Sequence, residues 1–64
     1  MHNRVAIKEG NCYHIRDLET GQTVGYINEE LVSLVPTANG FFGTDEQGVG
    51  YVYDDRGCLI RREF

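Results

Sequence analysis

The residues able to do chemistry are few and scattered. The thiols are Cys12 and Cys58, the imidazoles His2 and His14, and the paired acids Asp45-Glu46 and Asp54-Asp55. A nucleophile needs a base beside it and usually a third group to orient that base. Cys12 and His14 stand two apart, which in an extended chain puts both on one face, about 7 Å from each other. Neither a glycine-rich loop nor a helix N-terminus accompanies them to lower the thiol pKa. Together Cys12, His14, Cys58 and His2 have the types of a zinc ligand set. Structural zinc sites, however, pair their ligands at short spacing, and here only Cys12-x-His14 is short. The paired acids sit at turns, where a carboxylate ordinarily hydrogen-bonds the local backbone or faces water. The chain is therefore read as not an enzyme, with no catalytic residue, no metal ligand and no cofactor.

What must position these residues is a single small domain spanning 1–64. At this length roughly 60% of the unfolded surface is buried on folding, so the core is thin. The apolar content of 41% is nevertheless that of a globular protein. No apolar run approaches the length of about 20 residues that a membrane span needs. Met1-His2-Asn3-Arg4-Val5 lacks the apolar core of a signal peptide, which places the expected location in the cytoplasm. A secreted disulfide scaffold of this size would carry four or more cysteines, so Cys12 and Cys58 are read as reduced thiols. A bridge between them requires the strands around 12 and 58 to pack together.

Turn chemistry organises the chain. Glu19-Thr20-Gly21, Glu46-Gln47-Gly48 and Asp55-Arg56-Gly57 share one pattern: acid, polar residue, glycine. It fits a three-residue hairpin loop, a type I turn closed by a left-handed glycine in a G1 bulge. Gly10-Asn11 fits a two-residue II′ hairpin and Asn39-Gly40 a two-residue I′ hairpin. The runs between these turns are rich in β-branched and aromatic residues, as half-buried strands are. Tyr13 and Ile15 share one face, and Val49, Tyr51 and Tyr53 alternate with Gly50, Val52 and Asp54. Gly25, Gly43 and Gly50 inside strands suggest bulges or bends. The segment 28–35 is ambiguous: Asn28 fits a helix cap with Glu29 and Glu30 in the first turn. The Asn39-Gly40 turn needs a strand before it, which favours strand over 31–36. When Gly21 and Gly57 are aligned, Ile15 falls on Tyr51 and Val24 on Ile60, as in two similar hairpins.

The expected fold is all-β. It is an antiparallel meander of about six strands curling into a small barrel or strongly bent sheet, with at most one short helical turn near 28–35. The expected pairs are 4–9 with 12–18, 12–18 with 22–27, 31–36 with 41–45, 41–45 with 49–54, and 49–54 with 58–63. From Gly50-Tyr51-Val52-Tyr53-Asp54 through Asp55-Arg56-Gly57-Cys58-Leu59 to Ile60-Arg61-Arg62, the chain resembles a single unit of the YD repeats of large shell-forming toxin proteins. The resemblance implies a hairpin over 49–63 and covers about a fifth of the chain. Those proteins use long arrays, and no function is carried over from them.

Charge points to function. The net charge is −4, and eight acids lie between Asp17 and Asp55 without one Lys or Arg among them. The basic residues Arg4, Lys8, Arg16, Arg56, Arg61 and Arg62 flank that stretch. A continuous basic face is absent, which speaks against nucleic acid. The first reading is a non-catalytic interaction or regulatory module that binds a basic protein partner through an acidic face of Glu29, Glu30, Asp45 and Glu46. The alternative is a small-ligand or RNA-binding β-barrel. There Tyr13, Arg16, Tyr51, Arg61 and Arg62 would bind a nucleotide or phosphate-bearing ligand, since tyrosines stack bases and arginines fork onto phosphate. A chain this short, without a staple, also suits a homodimer formed through its terminal strands, with each chain's basic ends on the other's acidic centre.

Overall fold

Three aspartates close three of the hairpins in one way. Asp17 Oδ1 accepts the N–H groups of Glu19 and Thr20, Asp45 Oδ1 those of Gln47 and Val49, and Asp54 Oδ1 those of Arg56 and Cys58. Each loop then turns through a glycine of positive φ, Gly21 at 74°, Gly48 at 84° and Gly57 at 84°, where a Cβ would be strained. These loops were found in a computed structural model that describes residues 3–63. The Asp45–Val49 and Asp54–Cys58 loops have the expected three residues and bulge. The first is one residue longer, because Asp17 N–H bonds Gln22 O and encloses Leu18, Glu19, Thr20 and Gly21.

Between the turns run seven strands: β1 (Arg4–Glu9), β2 (Cys12–Asp17), β3 (Thr23–Ile27), β4 (Ser33–Pro36), β5 (Gly40–Thr44), β6 (Gly50–Asp54) and β7 (Leu59–Glu63). All five expected hairpins form: β1 with β2, β2 with β3, β4 with β5, β5 with β6, and β6 with β7. The β6–β7 hairpin is the one implied by the YD-like segment. No helix occurs among the described residues, and so none is long and apolar enough to cross a membrane.

The expectation of one continuous meander, closed or strongly bent, is corrected. The strands form two antiparallel sheets, β1-β2-β3 and β4-β5-β6-β7, and the described strands close no barrel. The break falls at Asn28–Val32. Ile27 and Leu31 are both buried, at 1% and 6% exposure, whereas Asn28, Glu29 and Glu30 between them are exposed. The chain thus crosses from one sheet to the other without pairing β3 to β4, pinned by Leu31 in the core. Val32 N–H then joins Thr44 O and starts the second sheet. The Asn39-Gly40 turn also differs from the I′ expectation. Among the described residues none other than glycine has positive φ, and Gly40 is not among those that do. Gly40 is instead the first residue of β5; its N–H bonds the Thr37 hydroxyl, and a Cβ there would lie 2.1 Å from Tyr53 O.

Gly43 and Gly50 lie in regular register rather than at bulges. The two register shifts fall elsewhere, one passing over Val24 opposite Ile15 and Arg16, the other over Ile60 opposite Val52 and Tyr53. Val24 and Ile60 are the pair that coincide when Gly21 is aligned on Gly57, so the two hairpins share their bulge as well as their turn glycine.

The sheets meet over Ile15, Ile27, Leu31, Phe41 and Tyr53, with Ala6, Tyr13, Val24, Leu34 and Tyr51 packed around them. Each full burial of such a side chain stabilises by about 1.5–3 kcal/mol. Close approach of backbone completes the docking. A Cβ on Gly25 of β3 would stand 1.7 Å from the Arg56 carbonyl oxygen, so only glycine lets the 54–57 loop rest on that strand. Arg4 spans the same junction: Nε lies 3.2 Å from Asp17 Oδ2, and Nη1 donates to Asp55 O at 3.1 Å. The radius of gyration is 10.9 Å, against about 10.7 Å expected for a compact chain of this length.

Candidate functional site

A groove of about 410 Å³ opens where the first hairpin, the inter-sheet crossing and the β5–β6 loop come together. Lys8 and Tyr13 face each other across β1 and β2, because the two-residue turn at Gly10-Asn11 sets that register. Gly10 has φ of 63° and Asn11 does not have positive φ, as a II′ turn requires. Asn11, at the hairpin tip, adds a polar side chain to the wall. The crossing contributes Glu30, Leu31 and Val32, and the β5–β6 loop contributes Glu46. Leu31 points into the core, so its neighbours Glu30 and Val32 are left exposed beside it. The volume lies within the range of small-ligand and side-chain pockets.

Three of the four acids proposed as a face, Glu30, Asp45 and Glu46, come together here, and Glu29 lies outside. Glu30, Asp45, Glu46 and Gln47 line a shallower depression of about 190 Å³ that shares Glu30 and Glu46 with the groove. The Glu30 and Glu46 carboxylates have no hydrogen bond or ion pair among the described residues. Asp45 is committed. Its Oδ2 accepts the Tyr51 hydroxyl at 2.8 Å while Oδ1 takes two loop N–H groups. The tyrosine bond first, then the Val49 N–H, holds its carboxyl below the usual range, and the same bond raises Tyr51. Glu29 Oε1 accepts the Tyr53 hydroxyl at 3.1 Å. Burial, reinforced by the Glu29 charge, pushes the Tyr53 phenol well above its usual range. Glu29 and Asp45 thus anchor tyrosines of β6 and add negative potential, whereas Glu30 and Glu46 present carboxylates to solvent.

The alternative set does not converge on one surface. Tyr13 faces inward beside Ile15, whereas Arg16 is on the exposed side of β2. Tyr51 and Arg62 are directly opposed across β6 and β7. Arg61 is opposed to Val52 and is ion-paired to Glu63 at 2.8 Å. Of the five, only Tyr51 and Arg62 are brought together.

Cys12 is half-buried in β2, Cys58 is exposed after the third Asp loop, and both are free thiols. His14 turns to other partners than Cys12: Nε2 lies 3.5 Å from Glu9 Oε1, and the ring meets Tyr26 edge-on at 4.9 Å. No cluster of three or more metal-ligating side chains occurs among the described residues; His2 lies outside them.

Lys8, Asn11, Leu31 and Val32 are groove residues that the sequence reading passed over. The Gly10-Asn11 turn carried the signal for Lys8, since it sets Lys8 opposite Tyr13. Nothing local marks Leu31 and Val32 as groove residues, because their apolar run fits strand or helix by pattern and only the Asn39-Gly40 turn favours strand. In comparisons with known proteins, no family model, no curated protein and no solved structure matches the chain.

Proposed function

We propose that this chain is a non-catalytic interaction module whose groove receives a basic side chain of a protein partner. The observation that carries the reading is the convergence of Glu30 and Glu46. They approach one groove from different elements and have no partner of their own among the described residues. The wall beside them is apolar and aromatic, with Leu31, Val32 and Tyr13. A long cationic side chain matches that combination: its stem lies along apolar surface while its head meets the carboxylates. An aromatic ring at the wall adds a face for the cation. Lys8, beside Tyr13 in the same groove, limits it to one cationic group and disfavours a polybasic stretch laid across it.

The test is titration with short peptides carrying one Arg or Lys between neutral residues. Exposed carboxylate–cation pairs are each worth about 0.2–1 kcal/mol, so Glu30→Gln with Glu46→Gln is expected to weaken binding by about tenfold. Raising the salt should weaken it in the same sense. Equal binding by the double variant and the parent would remove the groove from the account. A nucleotide or phosphate that raised the melting temperature while basic peptides did not would favour the arginine-centred alternative.

A further inference from the structure

Two antiparallel sheets have four edges. On β3 the Arg56 carbonyl lies over the face of the strand at Gly25, and Ile27 is buried. β4 is only four residues long, ends at Pro36, which has no N–H, and lies against β1. β1 is also tied down at Arg4, by Asp17 and by the Asp55 carbonyl. β7 differs. All five of its residues are exposed, and no described strand pairs with the side of it that faces away from β6. An edge of this kind offers a row of N–H and C=O groups to another strand.

We propose that β7 pairs antiparallel with β7 of a second copy of this chain, about a two-fold axis at Arg62, joining two four-stranded sheets into one of eight. Symmetry restricts the register. In an isologous antiparallel pair one residue must face itself, and its neighbours at equal distance on either side face each other. Centred on Arg62, the pair sets Arg61 opposite Glu63 of the second copy, and Glu63 opposite its Arg61. These two side chains share a face and already reach each other within one chain, at 2.8 Å. Centred on Arg61, the pair would oppose Arg61 to Arg61 and Ile60 to Arg62. Centred on Ile60, it would oppose Arg61 to Leu59. Among these registers only the first makes cross-strand ion pairs. Charges that keep a foreign strand off this edge become complementary when the strand is its own copy.

The outer face of the second sheet carries an apolar row that leads to this edge. Val35, Phe42 and Val52 lie side by side across β4, β5 and β6 in one row that ends on Arg61. Val35 is 51% exposed and Ile60, at the β7 bulge, 57%. Joining two such sheets sets Arg61 at the end of this row against Glu63 of the second copy, which stands in line with Gly50 and Thr44 of that copy. The one unfavourable contact is Arg62 with itself. It lies on the side of the sheet that carries Tyr51, whose hydroxyl holds the Asp45 carboxylate.

Sedimentation of the full chain from micromolar to millimolar concentration tests the pairing. The mass should rise from 7.3 kDa toward twice that value. Glu63→Arg should weaken association about tenfold, by losing two ion pairs and adding like charges. The swap Arg61→Glu with Glu63→Arg should restore it, and Arg62→Thr should tighten it by removing the self-contact. Far-UV circular dichroism checks that these exposed substitutions leave the fold intact. Hydrogen exchange should slow on association at those amides of 61–63 that point away from β6. A chain that stays at 7.3 kDa throughout overturns the proposal. So does a dimer indifferent to Glu63→Arg, or one that protects 28–32 and 45–49 in place of 61–63. The last result would put the basic ends of one copy in the acidic groove of the other.

Discussion

Leu31 fixes the point where the chain leaves one sheet for the other, and replacing it is a severe perturbation of this fold. It is 6% exposed, and its δ-carbons lie where a Cβ on Gly43 would stand, 2.6 Å from the nearer one. Leu31→Ala removes three carbons from the core. At about 0.8 kcal/mol per buried methylene the transfer loss is about 2.4 kcal/mol. A cavity of roughly 80 Å³, if it stayed open, would add about 1.9 kcal/mol at the cost per volume measured for leucine truncations. The expected loss is therefore about 2.4–4.3 kcal/mol, toward the lower end because so thin a core collapses easily. A domain of this length is stable by roughly 3–10 kcal/mol in total, so the variant should stand close to its unfolding limit. Urea denaturation followed by circular dichroism measures the loss. With a slope of about 1 kcal/mol per molar urea, the midpoint should fall by about 2 M or more. A fall under about 0.5 M with unchanged slope would show that Leu31 does not bridge the sheets. A normal fold with undiminished peptide binding would be equally damaging, since Leu31 is argued to hold Glu30 in place through the core.

Other substitutions probe the junction and the loops. Gly25→Ala should destabilise by about 1–3 kcal/mol or more, because its Cβ meets the rigid Arg56 backbone at 1.7 Å; hydrogen exchange at 54–57 should speed with it. Arg4→Gln should cost about 1.5–3 kcal/mol in a denaturation experiment, for it breaks a charged hydrogen bond between the two sheets. Stability should also fall in acid. Asp17, Asp45 and Asp54 are all held below their ordinary value of 3.8, chiefly by the Glu19 N–H, the Tyr51 hydroxyl and the Cys58 N–H respectively. The folded chain then binds fewer protons than the unfolded chain, so the contribution is complete above about pH 4 and is lost as pH falls through the folded values. A melting temperature that holds above pH 5 and declines below pH 4, less steeply in Asp54→Asn, is the expected profile; a decline beginning near neutrality would contradict it.

Local chemistry made the hairpins legible. An aspartate three or four residues before a glycine closes its own loop with two side-chain bonds, and nothing distant is needed for that. The alignment of Val24 with Ile60 pointed to two similar hairpins, but the bulge they share was not legible, bulges being expected at Gly25, Gly43 and Gly50. Tertiary relations were not legible. The meander breaks at 28–32 because Leu31 finds a place over Gly43, and the run Leu31 to Val35 has the same hydrophobic pattern whether it pairs with β3 or leaves it. Gly25 reads as a bend, yet its purpose is the approach of Arg56, far along the chain. Asn39-Gly40 has the composition of an I′ turn, but Gly40 is required by the Tyr53 backbone beside it. At the groove, the sequence showed where negative charge accumulates. It could not separate Glu30 and Glu46, which are unpartnered among the described residues, from Glu29 and Asp45, which are held by tyrosine hydroxyls.

The most direct measurement on the central claim is an amide-resolved NMR titration of the full chain with a peptide bearing one arginine. The account predicts saturable shifts at Lys8, Asn11, Tyr13, Glu30, Leu31, Val32 and Glu46, abolished together by Glu30→Gln with Glu46→Gln. Saturable shifts centred instead on Tyr51, Arg61 and Arg62, or none up to millimolar peptide, would contradict it.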